Sequence, residues 1–282
     1  MEQQRWDTPA GAADWLSRAV RAPYLLAPYR PERGDGISVN LELDSSTVHL
    51  VVHGSWGVPL RLAAHVAIRK SLSEHPDTLL IDLLDLRDVH ATSASLWLTA
   101  RRSGAAMDPP VEVAVCAPAD AAVAGLLRRL GAARFLPLFE TVAQAQAAIA
   151  ERRPLTERIE LCLPAEPHSA ARIRAVVAEV CAAWDLADLV DRAKLVASEI
   201  VANAVRHAQP PITAIISRRG SGIHVAVRDA DAHFPHRPRV HLVRSAIPPP
   251  SGLGLSLVHA ATPLWGAMPT PGGKVVWATV RR

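Results

Sequence analysis

Short apolar stretches of strand length alternate with helical stretches along residues 37–150, and this alternation restricts the fold more than any other feature. The first two strands, ISVNLEL at 37–43 and TVHLVVHG at 47–54, are close enough in sequence to form a hairpin. Later predicted strands are TLLIDL (78–83) and VEVAVC (111–116), and predicted helices are 60–72, 92–102, 119–130 and 141–153. Because a hairpin is followed by strands alternating with helices, we predict an α/β (α+β) fold with a mixed sheet covered by helices.

A second unit begins after the charged, proline-containing linker ERRPLTER at 151–158. Its predicted strands are 159–164, 212–219, 222–229 and two in the tail 265–280, and its predicted helices are 167–184, 194–208 and one after 251. Residues 230–251 form a loop rich in Pro, His and Arg that is too long to be only a connection. We therefore predict an N-terminal extension at 1–36, a first domain at 37–150 and a second domain at 158–282.

The N-terminal extension contains the stretch AADWLSRAV at 12–20. Ala12, Trp15, Leu16 and Ala19 have helical spacing, which predicts a short amphipathic helix. This helix either docks on its own domain or covers a surface of a partner, and the sequence leaves both alternatives open.

The composition excludes several classes of protein. The 282 residues are 49% hydrophobic and 21% charged, which provides enough apolar material for two cores. No apolar run approaches the roughly 18 residues of a membrane span, and the start MEQQRWD is unlike a secretory signal, so we expect a cytoplasmic protein without membrane contact. The net charge of +4 alone indicates no nucleic-acid partner. Cys116, Cys162 and Cys181 each lie in an apolar stretch and are expected to be reduced core thiols.

The stretch KLVASEIVANAVRHA at 194–208 carries Glu199, Asn203 and His207 at successive spacings of four. Four residues on an α-helix advance by about 400°, so the three side chains share one face. Apolar residues fill much of the rest of the helix, and a carboxylate and a carboxamide beside a core require partners. Those partners are either other protein groups or a ligand.

A strand ending in Asp229 and a turn containing Gly252 and Gly254 complete a set of groups suited to a nucleotide. The glycines let the backbone approach phosphates, and the helix that follows presents unpaired N–H groups. Asn203 can offer a carbonyl oxygen to Mg²⁺, and Glu199 can orient or deprotonate a hydroxyl or water near a γ-phosphate. Asp229 can accept a hydrogen bond from the exocyclic amine of adenine.

These motifs resemble the GHKL ATP-binding fold, a Bergerat two-layer α/β sandwich, and within it the anti-sigma factor serine/threonine kinases. SEIVANAVRHA (198–208) is similar to their Mg²⁺ motif, VRDAD (227–231) to their adenine motif, and SGLGLSLV (251–258) to their glycine motif. The resemblance implies ATP and Mg²⁺ as cofactors. The implied site residues are Glu199 as catalytic base, Asn203 as Mg²⁺ ligand, Asp229 as adenine contact, and Gly252, Leu253, Gly254 and Leu255 as the cofactor-binding turn.

Two positions depart from this family pattern. Asp231 stands where a second glycine of the adenine motif is common, and Val275 stands where a threonine near the adenine is frequent. A simpler explanation also competes with the catalytic role of Glu199, since this carboxylate can instead form a salt bridge with an arginine such as Arg206 or Arg192.

The histidines offer little support for a metal site. His207 is expected as an ordinary residue of a helix C-terminus. The spacing of His233, His236 and His241 fits no established metal site.

The first domain resembles the STAS domain, the fold of bacterial anti-sigma factor antagonists, in its order of elements and in IDLLDLRDVHATSASLWL (81–98). The family signature is an apolar strand ending in Asp, here Asp82, before a loop with an Asp-Ser-Ser-Gly-like motif whose first Ser accepts phosphate. Here positions 90–93 read His-Ala-Thr-Ser, so the usual acceptor hydroxyl is absent. Thr92 or Ser93 either replaces that acceptor or caps the helix that follows.

The two resemblances together imply an ATP-binding anti-sigma regulatory protein, a serine/threonine protein kinase of a partner-switching system with a fused degenerate STAS domain. The implied partner is a STAS-type anti-sigma factor antagonist, a sigma factor or both, and no direct contact with nucleic acid or membrane is expected. A homodimer is also possible. A sensor histidine kinase is disfavoured because no dimerising helix pair with a phosphoacceptor His precedes the ATP-binding unit. The alternative is a non-catalytic nucleotide-binding scaffold that holds a sigma factor or an antagonist.

Overall fold

The computed structural model of the chain describes residues 24–25, 35–151, 157–207, 211–235 and 254–282. Several sequence predictions lie outside these residues. They are the helix at 12–20, the centre of the linker, the loop from 236 onward with His236 and His241, and Gly252 and Leu253 of the glycine turn.

The first sheet contains the strands between residues 36 and 139. They are β2 (Gly36–Glu42), β3 (Thr47–Ser55), β4 (Thr78–Asp82), β5 (Leu86–Arg87), β6 (Glu112–Cys116) and β7 (Leu138–Phe139). Their order is β2-β3-β4-β6-β7, with β5 added to β3. Strands β2 and β3 are antiparallel and the remaining pairs are parallel, so the predicted hairpin and mixed sheet are confirmed.

Helices cover both faces of this first sheet. They are α1 (Val58–Glu74), α2 (Ala94–Ala105), α3 (Ala122–Arg129) and α4 (Val142–Ala150). Helices α1, α2 and α3 pack on one face around Trp97 and Leu127, whereas Ala145 of α4 packs against Leu80 and Ala114 on the other face. Burial of both faces explains why all five residues of β4 are buried and why its three central residues, Leu79, Leu80 and Ile81, are apolar.

The second sheet joins one N-terminal strand to the strands of the C-terminal half. They are β1 (Tyr24–Leu25), β8 (Arg158–Leu163), β9 (Ile212–Arg219), β10 (Gly222–Asp229), β11 (Trp265–Thr270) and β12 (Gly273–Arg281). The order is β1-β11-β12-β10-β9-β8, and every pair except the parallel β1 and β11 is antiparallel. β-Hairpins therefore build most of this sheet.

Three helices cover one face of the second sheet. They are α5 (Ser169–Ala183), α6 (Val190–His207) and α7 (Gly254–Ala261). Their buried residues form one core with the sheet, including Val177 of α5, Ile200 of α6, Val258 of α7 and Trp265 of β11. The predicted two-layer α/β arrangement is confirmed.

The opposite face of the second sheet packs against β2 of the first sheet. Its apolar residues belong to the same core as the first sheet; they are Ile215, Ala226, Met268, Val275 and Trp277, which lie with Ile37, Val39, Leu41 and Leu43. Strands β2 and β11 are in direct contact. The two halves of the chain therefore bury a common apolar layer, which the separate motifs did not predict.

Polar side chains at the end of α1 border this apolar layer. Arg219 of β9 pairs with Asp77 at 3.4 Å, and Glu74 Oε1 lies 3.3 Å from His224 Nε2 of β10. Each of the side chains Glu74, Arg219 and His224 is at most 4% exposed. A cavity of about 20 Å³ adjoins these three residues and Ser217. This polar cluster connects α1 to the second sheet.

Residues of the N-terminal extension also bridge the two sheets. The Tyr24 ring stacks on Trp277 with ring centroids 6.0 Å apart, and Lys70 Nζ of α1 donates to the Leu25 carbonyl oxygen at 2.8 Å. The strand β1 therefore contacts both halves of the chain.

The structure corrects the expected capping of α2. Neither Thr92 nor Ser93 caps the helix with its hydroxyl. Instead Asp88 accepts hydrogen bonds from the Thr92 and Ser93 backbone N–H groups at 3.0 and 2.8 Å, and Ser93 Oγ accepts from Trp97 Nε1. A carboxylate four and five residues upstream thus satisfies the free N–H groups of the helix start.

The cysteine prediction is correct at two positions and wrong at one. Cys116 and Cys181 are buried free thiols, whereas Cys162 is exposed. Cys162 lies on β8, at the edge of its sheet, where alternate side chains face solvent. Among the described helices, none has both the length and the apolar character required to cross a membrane.

Candidate nucleotide site

Helix α6 carries the polar residues that the sequence singled out. Its buried face includes Val196, Ile200 and Ala204, and Asn203 is 8% exposed beside that face. Glu199 is half-buried, and within the described part of the chain it forms no ion pair with Arg192 or Arg206, contrary to the simpler explanation.

His207 ends helix α6 and is exposed. Its exposure agrees with an ordinary residue of a helix terminus.

Asp229 is the last residue of β10 and is 2% exposed. Its register partner on β12 is Lys274, and Lys274 Nζ donates to Asp229 Oδ1 at 2.9 Å. The ammonium group also donates to the Asp231 backbone oxygen at 3.0 Å and to Asp231 Oδ2 at 3.1 Å. Lys274 is itself 2% exposed, so one buried cation holds two carboxylates.

The second carboxylate oxygen of Asp229 has no hydrogen-bond partner among the described residues. Asp229 Oδ2 is buried and unsatisfied, while Oδ1 is paired with Lys274. Burial raises the pKa of Asp229, and the hydrogen bond and charge of Lys274 oppose that increase. An unsatisfied buried oxygen of this kind costs about 1–3 kcal/mol, and a ligand donor would remove that cost.

Asp231 is stabilised in its charged form by its neighbours. Hydrogen bonds from the His233 backbone N–H and ring lower the pKa of Asp231 to about 2, and Lys274 contributes in the same direction. Asp231, which stands in place of a family glycine, therefore acts as a second partner for the lysine.

Two glycines make close contacts around these residues, and at Gly273 the contact with backbone atoms requires a glycine. A Cβ at Gly254, the first residue of α7, would lie 2.7 Å from Glu199 Oε2 and 3.2 Å from Arg206 Nη2. A Cβ at Gly273 would collide with the Asp229 backbone oxygen. The start of α7 is thus adjacent to Glu199, and the turn into β12 fits closely around Asp229.

The remaining predicted site residues have the following places. Leu255 is half-buried and packs on the core of the second sheet, while Gly252 and Leu253 lie outside the described residues. Val275 lies in the apolar layer shared with the first sheet, and its neighbour Lys274 contacts Asp229. Successive residues of a strand face opposite sides of the sheet, which explains why Lys274 contacts Asp229 while Val275 faces the first sheet.

Lys274 is the residue that sequence reasoning missed. It lies 45 residues from Asp229 in the chain, and only the β10–β12 register brings the two together. The signal available in the sequence was a lone lysine inside the otherwise apolar strand GGKVVWATV.

The residues present fit a nucleotide with a divalent cation better than a metal ion alone. The described residues contain no group of three or more His, Cys, Asp or Glu side chains able to hold a metal. Asn203 offers an amide oxygen, which suits a cation that shares its other ligands with phosphates and water. Asp229 Oδ2 offers a buried acceptor for an amine.

One family model matches part of the second half of the chain. Residues 163–280 match the family model described as Histidine kinase-like ATPase domain. This range contains α5, α6 and α7, the strands β9, β10 and β11, and all of β12 except its last residue. No curated protein matches the chain.

Two solved structures resemble parts of the chain. An anti-sigma factor antagonist from Mycobacterium paratuberculosis gives a TM-score of 0.37 at 16% identity, covering 44% of this chain and 100% of that chain. The RsbU and RsbW domains of a protein from Mycobacterium tuberculosis give a TM-score of 0.31 at 23% identity, covering 46% of this chain. The chain spans 34% of the length of that second structure.

Proposed function

We propose that residues 158–282 bind ATP with Mg²⁺ and that the protein is an anti-sigma regulator with serine/threonine kinase activity. The observation that carries the nucleotide proposal is the buried, unsatisfied Asp229 Oδ2 inside a histidine kinase-like ATPase domain. This oxygen would accept a hydrogen bond from the exocyclic amine of adenine. The anti-sigma role is supported by the sequence resemblances of the two halves of the chain.

Each side chain of the site has a distinct role in this proposal. Asn203 would bind Mg²⁺ through its amide oxygen, and the start of α7 at Gly254 would face phosphate oxygens with its unpaired N–H groups. Glu199, beside Gly254, would accept the proton of a substrate hydroxyl as general base. Bound Mg·ATP would supply the phosphoryl group and the charge that stabilises its transfer.

The substrate of this kinase would be a serine on a separate STAS-type protein. Within this chain Ala91 stands at the usual acceptor position and has no hydroxyl. Ser93 is fully buried and its Oγ is held by Trp97, while Thr92 donates its hydroxyl to Asp88. We therefore expect no phosphate on residues 90–93.

Calorimetric titration with Mg·ATP tests the binding proposal. Asp229→Ala and Asn203→Ala should each weaken binding by about 10-fold to 100-fold, because each removes one ligand contact. His207→Ala is the matched control, since it changes an exposed residue at the end of the same helix. Unchanged affinity in both site variants would show that the nucleotide binds elsewhere.

Transfer of labelled phosphate to a STAS protein that retains its serine tests the kinase activity. Glu199→Gln should lower the transfer rate by ~100-fold or more while ATP stays bound, because only the general base is lost. Mass spectrometry of the same reaction reports on residues 90–93. A wild-type chain that binds ATP and transfers none would support the non-catalytic scaffold instead.

A further inference from the structure

The ion pair between Lys274 and Asp229 is unusual for a carboxylate that would contact a ligand, because both side chains are buried. The Lys274 and Asp229 side chains are 2% and 1% exposed, and the three hydrogen bonds of Lys274 Nζ use all three of its N–H donors. A buried ammonium requires such compensation, since removing a charge from water costs several kcal/mol. The lysine is therefore fixed in place and has no donor left for a ligand.

The charged groups around Asp229 come from few elements. Lys274 approaches from β12, Asp231 lies in the segment after β10, and His233 is attached to Asp231 at 2.6 Å. Within the described residues, no ion pair connects Asp229 to α6 or α7. The protonation of Asp229 consequently depends mainly on one cation, Lys274.

The protonation of Asp229 decides which base the site can accept. An ionised carboxylate only accepts hydrogen bonds, so it pairs with the 6-amine of adenine and repels a 6-carbonyl oxygen. A protonated carboxyl group can donate, and it would then tolerate a purine with a carbonyl at that position. The state of one proton thus controls discrimination between two kinds of purine.

We propose that Lys274 is a positioning residue that makes the site selective for 6-aminopurine over 6-oxopurine nucleotides. It holds Oδ1 of Asp229, keeps the carboxylate charged and leaves Oδ2 as the single free acceptor. This inference rests on the proposed nucleotide function and adds the residue that sets its base specificity.

Titration of the protein, residues 1–282, with ATP and with ITP, which carries a 6-carbonyl group, tests this role. Because the charge and hydrogen bond of Lys274 oppose the increase that burial causes in the pKa of Asp229, the wild-type preference for ATP should be constant between about pH 6 and about pH 8. Lys274→Met removes the charge with little change in side-chain length. In this variant burial should raise the pKa of Asp229 further, so the ATP:ITP preference should fall by ~10-fold at the lower pH and recover as the pH rises.

Two further variants separate specificity from stability. Lys194→Met removes a lysine elsewhere in the same half of the chain, and its ATP:ITP preference should match the wild type at every pH. Lys274→Gln keeps a hydrogen-bond donor but removes the charge, so it should show the same pH-dependent loss of the ATP:ITP preference. This variant replaces Lys274→Met in the experiment if Lys274→Met fails to fold.

Three results would overturn the inference. One is a wild-type ATP:ITP preference that already changes across this pH range, and another is an unchanged preference in both folded Lys274 variants. The third is tighter ATP binding with unaltered preference in a Lys274 variant, which would mean that Lys274 competes with the base amine. If the wild type binds neither nucleotide, the proposed function fails and this inference fails with it.

Discussion

Gly273 illustrates how one residue at a strand start determines the geometry of the site. Its missing side chain lets β12 approach so closely that a Cβ would collide with the Asp229 backbone oxygen. The neighbouring Lys274 then reaches the Asp229 carboxylate. Close packing at one glycine and ion pairing at the next residue are therefore linked.

We expect Gly273→Ala to destabilise the protein by about 1–3 kcal/mol and to weaken ATP binding, because backbone must move to admit the methyl group. Denaturant unfolding and calorimetric titration would measure the two effects. Gly125→Ala is the matched control: it lies inside α3, and the nearest atom to a Cβ there is a flexible Arg129 nitrogen at 3.4 Å. That control should be neutral or stabilising by roughly 0.5–1 kcal/mol.

Sequence patterns identified the elements of this fold better than they identified its site. The strands β9 and β10 and the helix α6 follow from local periodicity, which depends on residues a few positions apart. Lys274 and Asp229 are 45 residues apart in the sequence, and only the register of β10 with β12 brings them together. A local sequence pattern therefore cannot predict this pair. Asp229 and Asn203 could be proposed as site residues from the sequence because they lie in short motifs on single elements.

Helix α1 contributes a buried acid to its contact with the second sheet. Burial raises the pKa of Glu74 to about 8, while the charge of Arg219 opposes the increase. Burial also lowers the pKa of His75 to about 4 and holds the pKa of His224 well below its usual value. The folded state therefore favours the neutral forms of all three side chains.

These shifts predict that stability falls as the pH rises from about 7 to about 8. In this window the folded chain keeps a proton on Glu74 that the unfolded chain has lost, while both histidines are neutral in the folded chain and mostly neutral in the unfolded chain, whose histidines titrate at about 6.5. The decrease should be at most about 1.4 kcal/mol, since one pH unit corresponds to about 1.4 kcal/mol per proton.

Denaturant unfolding across this pH range, with Glu74→Gln beside the wild type, measures the effect. The variant cannot ionise, so its stability should be constant where that of the wild type declines. Glu160→Gln on the exposed face of β8 is the control and should retain the wild-type slope. A wild-type curve that is flat or rising between these pH values would contradict the prediction.

At the scale of the whole molecule, the two sheets share one apolar layer in addition to the separate core that the second sheet forms with its helices. Trp277 and Val275 of the second sheet share a core with Leu41 and Val39 of the first. Removing residues 1–150 would expose this layer to water, at a cost of about 25 cal/mol for each Å² of apolar surface. The motifs predicted two domains but carried no information on the face that joins them, because a shared core is a tertiary property.

The chain of residues 1–282 should therefore unfold in a single cooperative transition. Leu41→Ala, which removes a side chain that is 1% exposed, should lower the unfolding temperature of both halves together and cost about 2–5 kcal/mol. Calorimetry, combined with hydrogen exchange of β4 and of β10, would follow each half separately. Two resolved transitions, with only the first half affected by Leu41→Ala, would mean that the halves are energetically independent.

The short strand β1 cannot form its strand pairing until β11 has been translated. Tyr24 and Leu25 leave the ribosome well before their pairing partners, Gly266 and Ala267 of β11, which are translated more than two hundred residues later. At a synthesis rate of about 5–20 residues per second, this segment waits on the order of ten seconds or longer for its partner. During that delay the apolar face of β2 is also uncovered, since the sheet that buries it has not been made. Nascent chains are thus most vulnerable to aggregation while the C-terminal half is still being translated.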